Sequence, residues 1–487
     1  MEYKKILTTL RRYSFSEKMR IANKYSRQIM SPKGLLEPDS LAGRPLPWDI
    51  ETFVIFAVVA KEWQNNNFIG KNEKVFIEII NSILEYCPPT LEKCKESFLF
   101  TDFYLVLAGS VQYDIQEYYP YKLYRHNFYF SFVNEKVNMP ALFFKKFGCD
   151  YKDFMVFSTF LWCAYTSGAN ISQSIYDYWL SKYNICSNAL SISRENFIKQ
   201  VEKFSETPDD YRYCLRPSYS FPFVVEGNLT YLPLPHLLMR AVTSSLMFRI
   251  TEKDNDLANL IGKEVLEPYL FKIINESNLF DEVLREQEIP RKGGVLRTPD
   301  VMARKDDVYV FFDSKYFAPR TDLRTMVPEA FEETIDRLSD HVIQVYKHIH
   351  NYFPMTYNCF KSKGPVSKDK VYGLVVVRDD PHIRPQSIYN KSAQKLKLSR
   401  EDTKYKWLCG HVGIVSINEI ERYCFTQSDF INAICRNNEE EHCYDYWLCG
   451  SLNSSSIKGS PVYDFIRSLN ASVLSEAHKM RDLGILK

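Results

Sequence analysis

Two aspartates and a lysine, Asp300, Asp313 and Lys315, are spaced so that folding can bring them together. They lie in residues 297–317, RTPDVMARKDDVYVFFDSKYF. Asp300 follows Pro299 in a short strand expected over 297–304. Lys305, Asp306 and Asp307 make a polar turn. Val308 to Phe312 is a run of β-forming residues, and it ends in Asp313-Ser314-Lys315. Side chains alternate along a strand, so Asp313 and Lys315 share a face, and the turn folds Asp300 back beside them. Hard carboxylate oxygens of this kind suit Mg²⁺ or Mn²⁺. A phosphodiester carries charge that repels an attacking hydroxide. A divalent ion held by Asp300 and Asp313 would neutralise that charge and lower the pKa of a bound water. Lys315 would orient the water or stabilise charge developing in the transition state.

A third acid is expected from a helix over 257–275, whose segment Gly262-Lys263-Glu264-Val265-Leu266-Glu267-Pro268-Tyr269 offers two. Glu267 is favoured and Glu264 is the fallback. Pro268 disfavours helical geometry at Glu267 and removes a bond to the Glu264 carbonyl. A kink there would aim Glu267 at the metal.

These residues need a scaffold, and the apolar periodicities describe one. Strands are expected over 282–287, 297–304, 308–315, 371–378 and 411–417, with helices over 257–275 and 330–352. This order gives an α/β fold, a mixed central β-sheet flanked by helices. Before it, residues 1–215 read as a mainly helical N-terminal domain for recognition or regulation, with helices at 50–63 and 74–86. The aromatic run HNFYFSFV, within 120–140, reads as a possible strand. Residues 216–253 form a connecting segment: a hairpin, 221–225 and 229–232, around Glu226-Gly227-Asn228, then a helix over 237–249. Residues 254–425 are the catalytic core and 426–487 a C-terminal helical extension.

The core resembles the PD-(D/E)xK nuclease superfamily. Its pattern matches Pro299, Asp300, Asp313, Ser314 and Lys315, and the Gly262–Tyr269 helix is similar to that superfamily's first core helix. Gln344-Val345-Tyr346-Lys347 resembles the Q-x-x-K element of the restriction-type branch, which makes Gln344 and Lys347 accessory candidates. The resemblance covers roughly 254–420. It implies a restriction-endonuclease-like core and a metal-dependent phosphodiesterase, with Asp300, Asp313, Lys315 and Glu267 as its catalytic set and Asp300, Asp313 and Glu267 as metal ligands. Pro-Asp also occurs at Pro38-Asp39 and Pro208-Asp209, and an acid two before a lysine at Glu2, Asp150 and Asp402. None of those acids follows a long β-run or pairs with a Pro-Asp across a short turn.

Around this site Arg285, Arg291, Lys292, Arg297, Arg304, Lys305, Arg320 and Arg324 supply positive charge, with Gly293-Gly294 in a mobile loop. Arg291, Lys292, Arg297, Arg304, Lys305 and Arg320 are the candidate nucleic-acid contacts. The whole chain has 62 Lys plus Arg against 60 Asp plus Glu, so any basic surface is local. Twelve cysteines without a CxxC pair fit free thiols in a reducing cytoplasm rather than zinc modules. No secretory h-region opens the chain, and residues 154–169, its most apolar stretch, read as a buried helix rather than a membrane span. No Walker motif or GxSxG elbow occurs, which gives an ATPase or serine hydrolase no support. His341 and His348 share one helix face without a carboxylate at metal-ligand spacing.

The expected activity is a DNA endonuclease acting on double-stranded DNA, as in bacterial restriction or antiviral defence, working as a homo-oligomer and with a partner protein or trigger as an option. Two alternatives stand beside it: a catalytically silent nuclease-fold scaffold that binds nucleic acid or a partner, and an RNase or exonuclease.

Overall fold

The computed structural model describes residues 3–29, 45, 47–63, 73–86, 119–169, 171–201, 217–252, 254–317, 328–361, 367–379, 383–437 and 460–486. The chain divides into two units. One comprises Met1–Tyr119, Met139–Glu252 and Arg467–Lys487; the other comprises Pro120–Asn138 and Lys253–Ile466.

The first unit is mainly helical. Helices Tyr3–Leu10, Phe15–Ile29, Pro47–Val59 and Glu73–Tyr86 surround a core that includes Phe53, Phe56, Phe76 and Ile80. The helix expected over 50–63 stops at Val59 because buried cations take its last carbonyls, which no helical N–H can reach. Lys18 Nζ donates to Ala60 O at 2.7 Å, and Arg194 donates to Val58 O and Ala60 O, each at 2.9 Å. The apolar stretch at 154–169 lies in the helix Tyr151–Thr166, where Phe154, Phe157 and Leu161 are buried. No helix among the described residues is long and apolar enough to cross a membrane.

A small sheet completes this unit: β1 (Ser191–Ser193) runs parallel to β2 (Phe223–Glu226), which pairs antiparallel with β3 (Leu229–Tyr231). Gly227 supplies the positive φ (+58°) that the expected hairpin needs. The helix expected over 237–249 is instead two, Leu238–Ala241 and Ser244–Thr251. The break falls at Val242-Thr243, where β-branched residues crowd the turn and Thr243 Oγ1 bonds back to Met239 O. Ser26, His236 and Glu51 form a buried chain, with Ser26 Oγ 2.7 Å from His236 Nδ1 and Nε2 3.0 Å from Glu51 Oε1. Ser26 Oγ also accepts the His236 N–H at 3.2 Å and is sealed from solvent, so the chain clasps helices together rather than presenting a nucleophile.

The second unit is mixed α/β. Its strands are β4 (Glu282–Arg285), β5 (Glu288–Arg291), β6 (Gly294–Arg297), β7 (Val301–Lys305), β8 (Val308–Lys315), β9 (Val371–Val377) and β10 (Val412–Ser416). Five of them make a sheet in the order β10-β9-β8-β7-β4. β8, β9 and β10 are parallel, and β7 pairs antiparallel with β8 and β4. Helices cover both faces, so the central strands are continuous apolar runs, buried throughout β9 and from Val308 to Ser314 in β8. Phe311 faces His348 of the long helix Pro328–Lys347 and its continuation His348–Tyr352, whereas Phe312 stacks on Phe430 across the opposite face.

Two expectations are corrected here. Most of the run HNFYFSFV is helical, from His126 to the end of the helix Tyr119–Ser131; Phe132 and Val133 lie beyond it, and Val133 bridges to Asn138. The run's aromatics favour a strand in isolation, but burial of Tyr129 against Tyr269, with ring centroids 5.3 Å apart, decides the outcome. Gly293-Gly294 is not an open loop. Lys292-Gly293 is the tight turn of an antiparallel hairpin, β5–β6, and Gly294 opens β6; both glycines take positive φ there.

Candidate active site

Strand register does most of the positioning. Val301 lies opposite Phe312, which sets Asp300 level with Asp313. The Ser314 N–H and Oγ–H both donate to Asp300 Oδ2, at 2.6 and 2.7 Å. Lys315 Nζ lies 2.8 Å from Asp313 Oδ2. That oxygen is buried and, despite the ion pair, receives no hydrogen bond of good geometry.

The acidic helix contributes Glu267 through a local irregularity. Asn255–Ile261 and Glu267–Glu276 are α-helical, but Gly262–Leu266 is a wide π turn closed by the Glu267 N–H donating to Gly262 O. Pro268 cannot donate to the Glu264 carbonyl and its ring crowds that group; the wide turn absorbs both effects. The expected kink is therefore an added residue in the turn. Its consequence is a choice between the two acids. Glu264 faces away, accepting from Asn134 and Lys136, each at 2.8 Å. Glu267 is near enough to Asp300 and Asp313 for their charges to raise its pKa.

The electrostatics follow from burial first, with crowding second at Glu267 and Asp313. Burial first, then the charges of Asp300 and Glu286, push Glu267 up to about 8. Burial pushes Asp313 up to about 6; Lys315 opposes this and Asp300 adds to it. Asp300 is also raised by burial, against the two bonds from Ser314. Burial raises all three carboxyls, and the nearby cations do not offset it.

Two contributors escape a reading of the sequence. Glu286 follows β4, and its N–H donates to Asp300 O at 3.0 Å, so it lies level with Asp300. The β5–β6 hairpin separates the two in sequence and conceals the pairing. Lys263 lowers the pKa of both Glu267 and Asp300. His341, on the long helix, is close enough to Lys315 for that ammonium, after burial, to help hold its pKa down at about 4. Gln344 is exposed one turn further along, and Lys347 is exposed on the same helix.

The basic residues are dispersed. Arg291 and Lys292 are exposed at the hairpin turn, Arg291 lying 5.6 Å from the Tyr352 ring. Arg297 is exposed and pairs with Glu288 at 3.1 Å. Arg304 and Lys305 sit at the end of β7 remote from Asp300 and pair with Asp281. Arg285 lies over the Phe271 ring. Arg320 and Arg324 fall outside the described residues.

Among the described residues no group of three or more His, Cys, Asp and Glu is gathered to hold a metal ion. The donor chemistry still suits a small hard cation. Mg²⁺ takes one or two carboxylates and completes its shell with water and phosphate oxygens. Asp300 and Asp313 are level on adjacent strands, Glu267 comes from the helix, and the nearby cations Lys315 and Lys263 leave the carboxyl pKa values raised.

The raised carboxyls predict a pH dependence. Their folded-state pKa values exceed those of the unfolded chain, so their stabilising contribution is full below the ordinary carboxylate range. It is lost as pH rises, through about 6 for Asp313 and about 8 for Glu267. In EDTA, the melting temperature of the wild type should fall between about pH 5 and 8.5, and that of Glu267→Gln should fall less. Parallel profiles in scanning calorimetry would contradict this assignment.

The chain thus has a mixed α/β unit with an acidic site at the strand ends, together with a mainly helical unit. Comparison with protein-family models, curated proteins and solved structures finds no match.

Proposed function

We propose that the protein is a metal-dependent nuclease with a PD-(D/E)xK, restriction-endonuclease-like core, most simply a DNA endonuclease. One observation carries the reading: Asp300, Asp313 and Lys315 from two paired strands meet Glu267 from the preceding helix, in a cluster whose carboxyl pKa values are displaced upward. Functional sites concentrate such unrelieved charge, whereas a structural ion pair is arranged to relieve it.

In this reading Asp300, Asp313 and Glu267 hold Mg²⁺ or Mn²⁺, which supplies charge neutralisation and an activated water. Lys315, anchored beside Asp313, orients that water or meets charge developing on the phosphate. Ser314 fixes one oxygen of Asp300 and so its orientation. Arg291, Lys292 and Arg297 are exposed and available to phosphates, with Gln344 and Lys347 as accessory contacts. Arg304 and Lys305, at the remote end of β7, play a smaller part. Double-stranded DNA as substrate, a homo-oligomeric state, a role in restriction or antiviral defence, and a partner or trigger all belong to the same proposal.

A silent scaffold is the second reading, favoured by the lack of a ready-gathered metal group among the described residues. Incubating wild type with circular DNA, linear DNA and RNA, each in Mg²⁺, Mn²⁺ and EDTA, separates the readings. The nuclease cuts at least one in a divalent cation and none in EDTA. Tight binding of DNA with no cutting under any condition supports the scaffold.

A further inference from the structure

Gly262 and Tyr316 meet where the acidic helix passes the end of β8. A Cβ built on Gly262 would come within 2.7 Å of Tyr316 Cβ and 3.5 Å of its Cγ. The first atom is fixed by the backbone, so no rotamer change relieves the contact. Both partners adjoin the site. Gly262 O accepts the Glu267 N–H across the wide turn. Tyr316 directly follows Lys315.

The far side of Tyr316 is backed as firmly. The Arg378 guanidinium lies 4.5 Å from its ring centre. Arg378 is held by Asp379 through bonds of 3.0 and 2.7 Å. The Arg378 N–H donates to Lys315 O at 3.3 Å, and the Asp379 N–H to Phe317 O at 3.2 Å. The chain beyond Lys315 is therefore clamped to the end of β9.

We propose that Tyr316 is a positioning residue, a spacer that fixes the separation between the helix bearing Glu267 and the strand end bearing Asp313 and Lys315. The proposal rests on the nuclease reading of that site. Gly262 allows the close approach, and Arg378 keeps the spacer from retreating. A methyl group at 262 must push helix and strand apart. Misplacement of about 1 Å costs on the order of 100-fold in rate.

Gly262→Ala, Tyr316→Gly, their double variant and Tyr316→Phe form the test set, read by cleavage kinetics, Mn²⁺ titration calorimetry and metal-free melting. Gly262→Ala should lower kcat about 10- to 100-fold, leave KM within about twofold, and weaken Mn²⁺ binding about tenfold. Tyr316→Gly removes the very atom the new methyl meets. Added to Gly262→Ala, it should recover Mn²⁺ affinity and part of kcat, although alone it lowers both. Tyr316→Phe keeps the spacer and should match wild type.

Wild-type rates and Mn²⁺ affinity in Gly262→Ala overturn the spacer, as does a loss that Tyr316→Gly does not rescue. If wild type neither cuts nucleic acid nor binds Mn²⁺, the nuclease reading fails and metal-free melting decides the spacer alone. Coupled changes in melting temperature then support it, and additive losses overturn it.

Discussion

Asp313→Asn should abolish cleavage and at the same time raise the melting temperature in EDTA. Both effects follow from one cause. Asp313 is buried, and the cost of burying its charge is the largest influence on it; Lys315 outweighs the added charge of Asp300 and Glu286 but not that cost. An amide of the same shape has no charge to bury. It would also remove a proposed metal ligand, for which a rate loss of about 1,000-fold or more is expected. Lys315→Met should lower the rate about 100- to 1,000-fold, the range for losing a transition-state charge stabiliser. Its stability should change little below about pH 6, where Asp313 already takes up a proton and stays neutral without its partner, and should fall at higher pH. If Asp313 and Lys315 were an ordinary polar strand end, Asp313→Asn would cost stability. Cleavage rates and EDTA melting curves on the same preparations decide between these, because opposite signs for activity and stability mark a site kept under strain for function.

Arg125→Met should be the most destabilising single change in the mixed α/β unit, by about 3–5 kcal/mol at pH 8. Arg125 Nη1 lies 2.9 Å from Glu421 Oε2, and both side chains are buried. The Tyr269 hydroxyl donates to the other Glu421 oxygen at 2.5 Å. Burial pushes Glu421 up to about 7, with Arg125 the largest opposing influence. Without Arg125 the folded-state pKa rises further above the unfolded value. Stability is then retained at low pH, where Glu421 is neutral in both states, and is lost as pH rises. The gap between variant and wild type should therefore be wide at pH 8 and narrow near pH 5. Urea unfolding at the two pH values measures it; an equal gap would mean that Glu421 stays charged throughout.

The sequence carried the long apolar elements well and the exposed ones poorly. β8 and β9 were legible because a buried parallel strand is a continuous apolar run, which Val308–Phe312 and Val371–Val377 supply. The alignment of Asp300 with Asp313 was legible because a short turn leaves little freedom of register. β5 and β6 were not, since Pro290 and the paired glycines read as loop and the strands are largely exposed. Missing that hairpin meant missing Glu286, whose pairing with Asp300 exists only once residues between them fold aside. Tyr119–Ser131 was obscured for another reason: its aromatics fit either period, and only packing against Tyr269 and its neighbours selects the helix. The choice of Glu267 over Glu264 hinged on Pro268, whose effect was visible in kind, though the wide turn it produces was not.

The central claim is that Asp300, Asp313, Glu267 and Lys315 form a cation-dependent phosphodiesterase site. Its most direct test follows supercoiled plasmid with wild type, Asp300→Ala and Lys315→Ala in Mg²⁺, with EDTA added midway. Nicking by wild type that stops on chelation, and its loss in both folded variants, is the predicted result. Equal nicking by wild type and the variants would contradict the account.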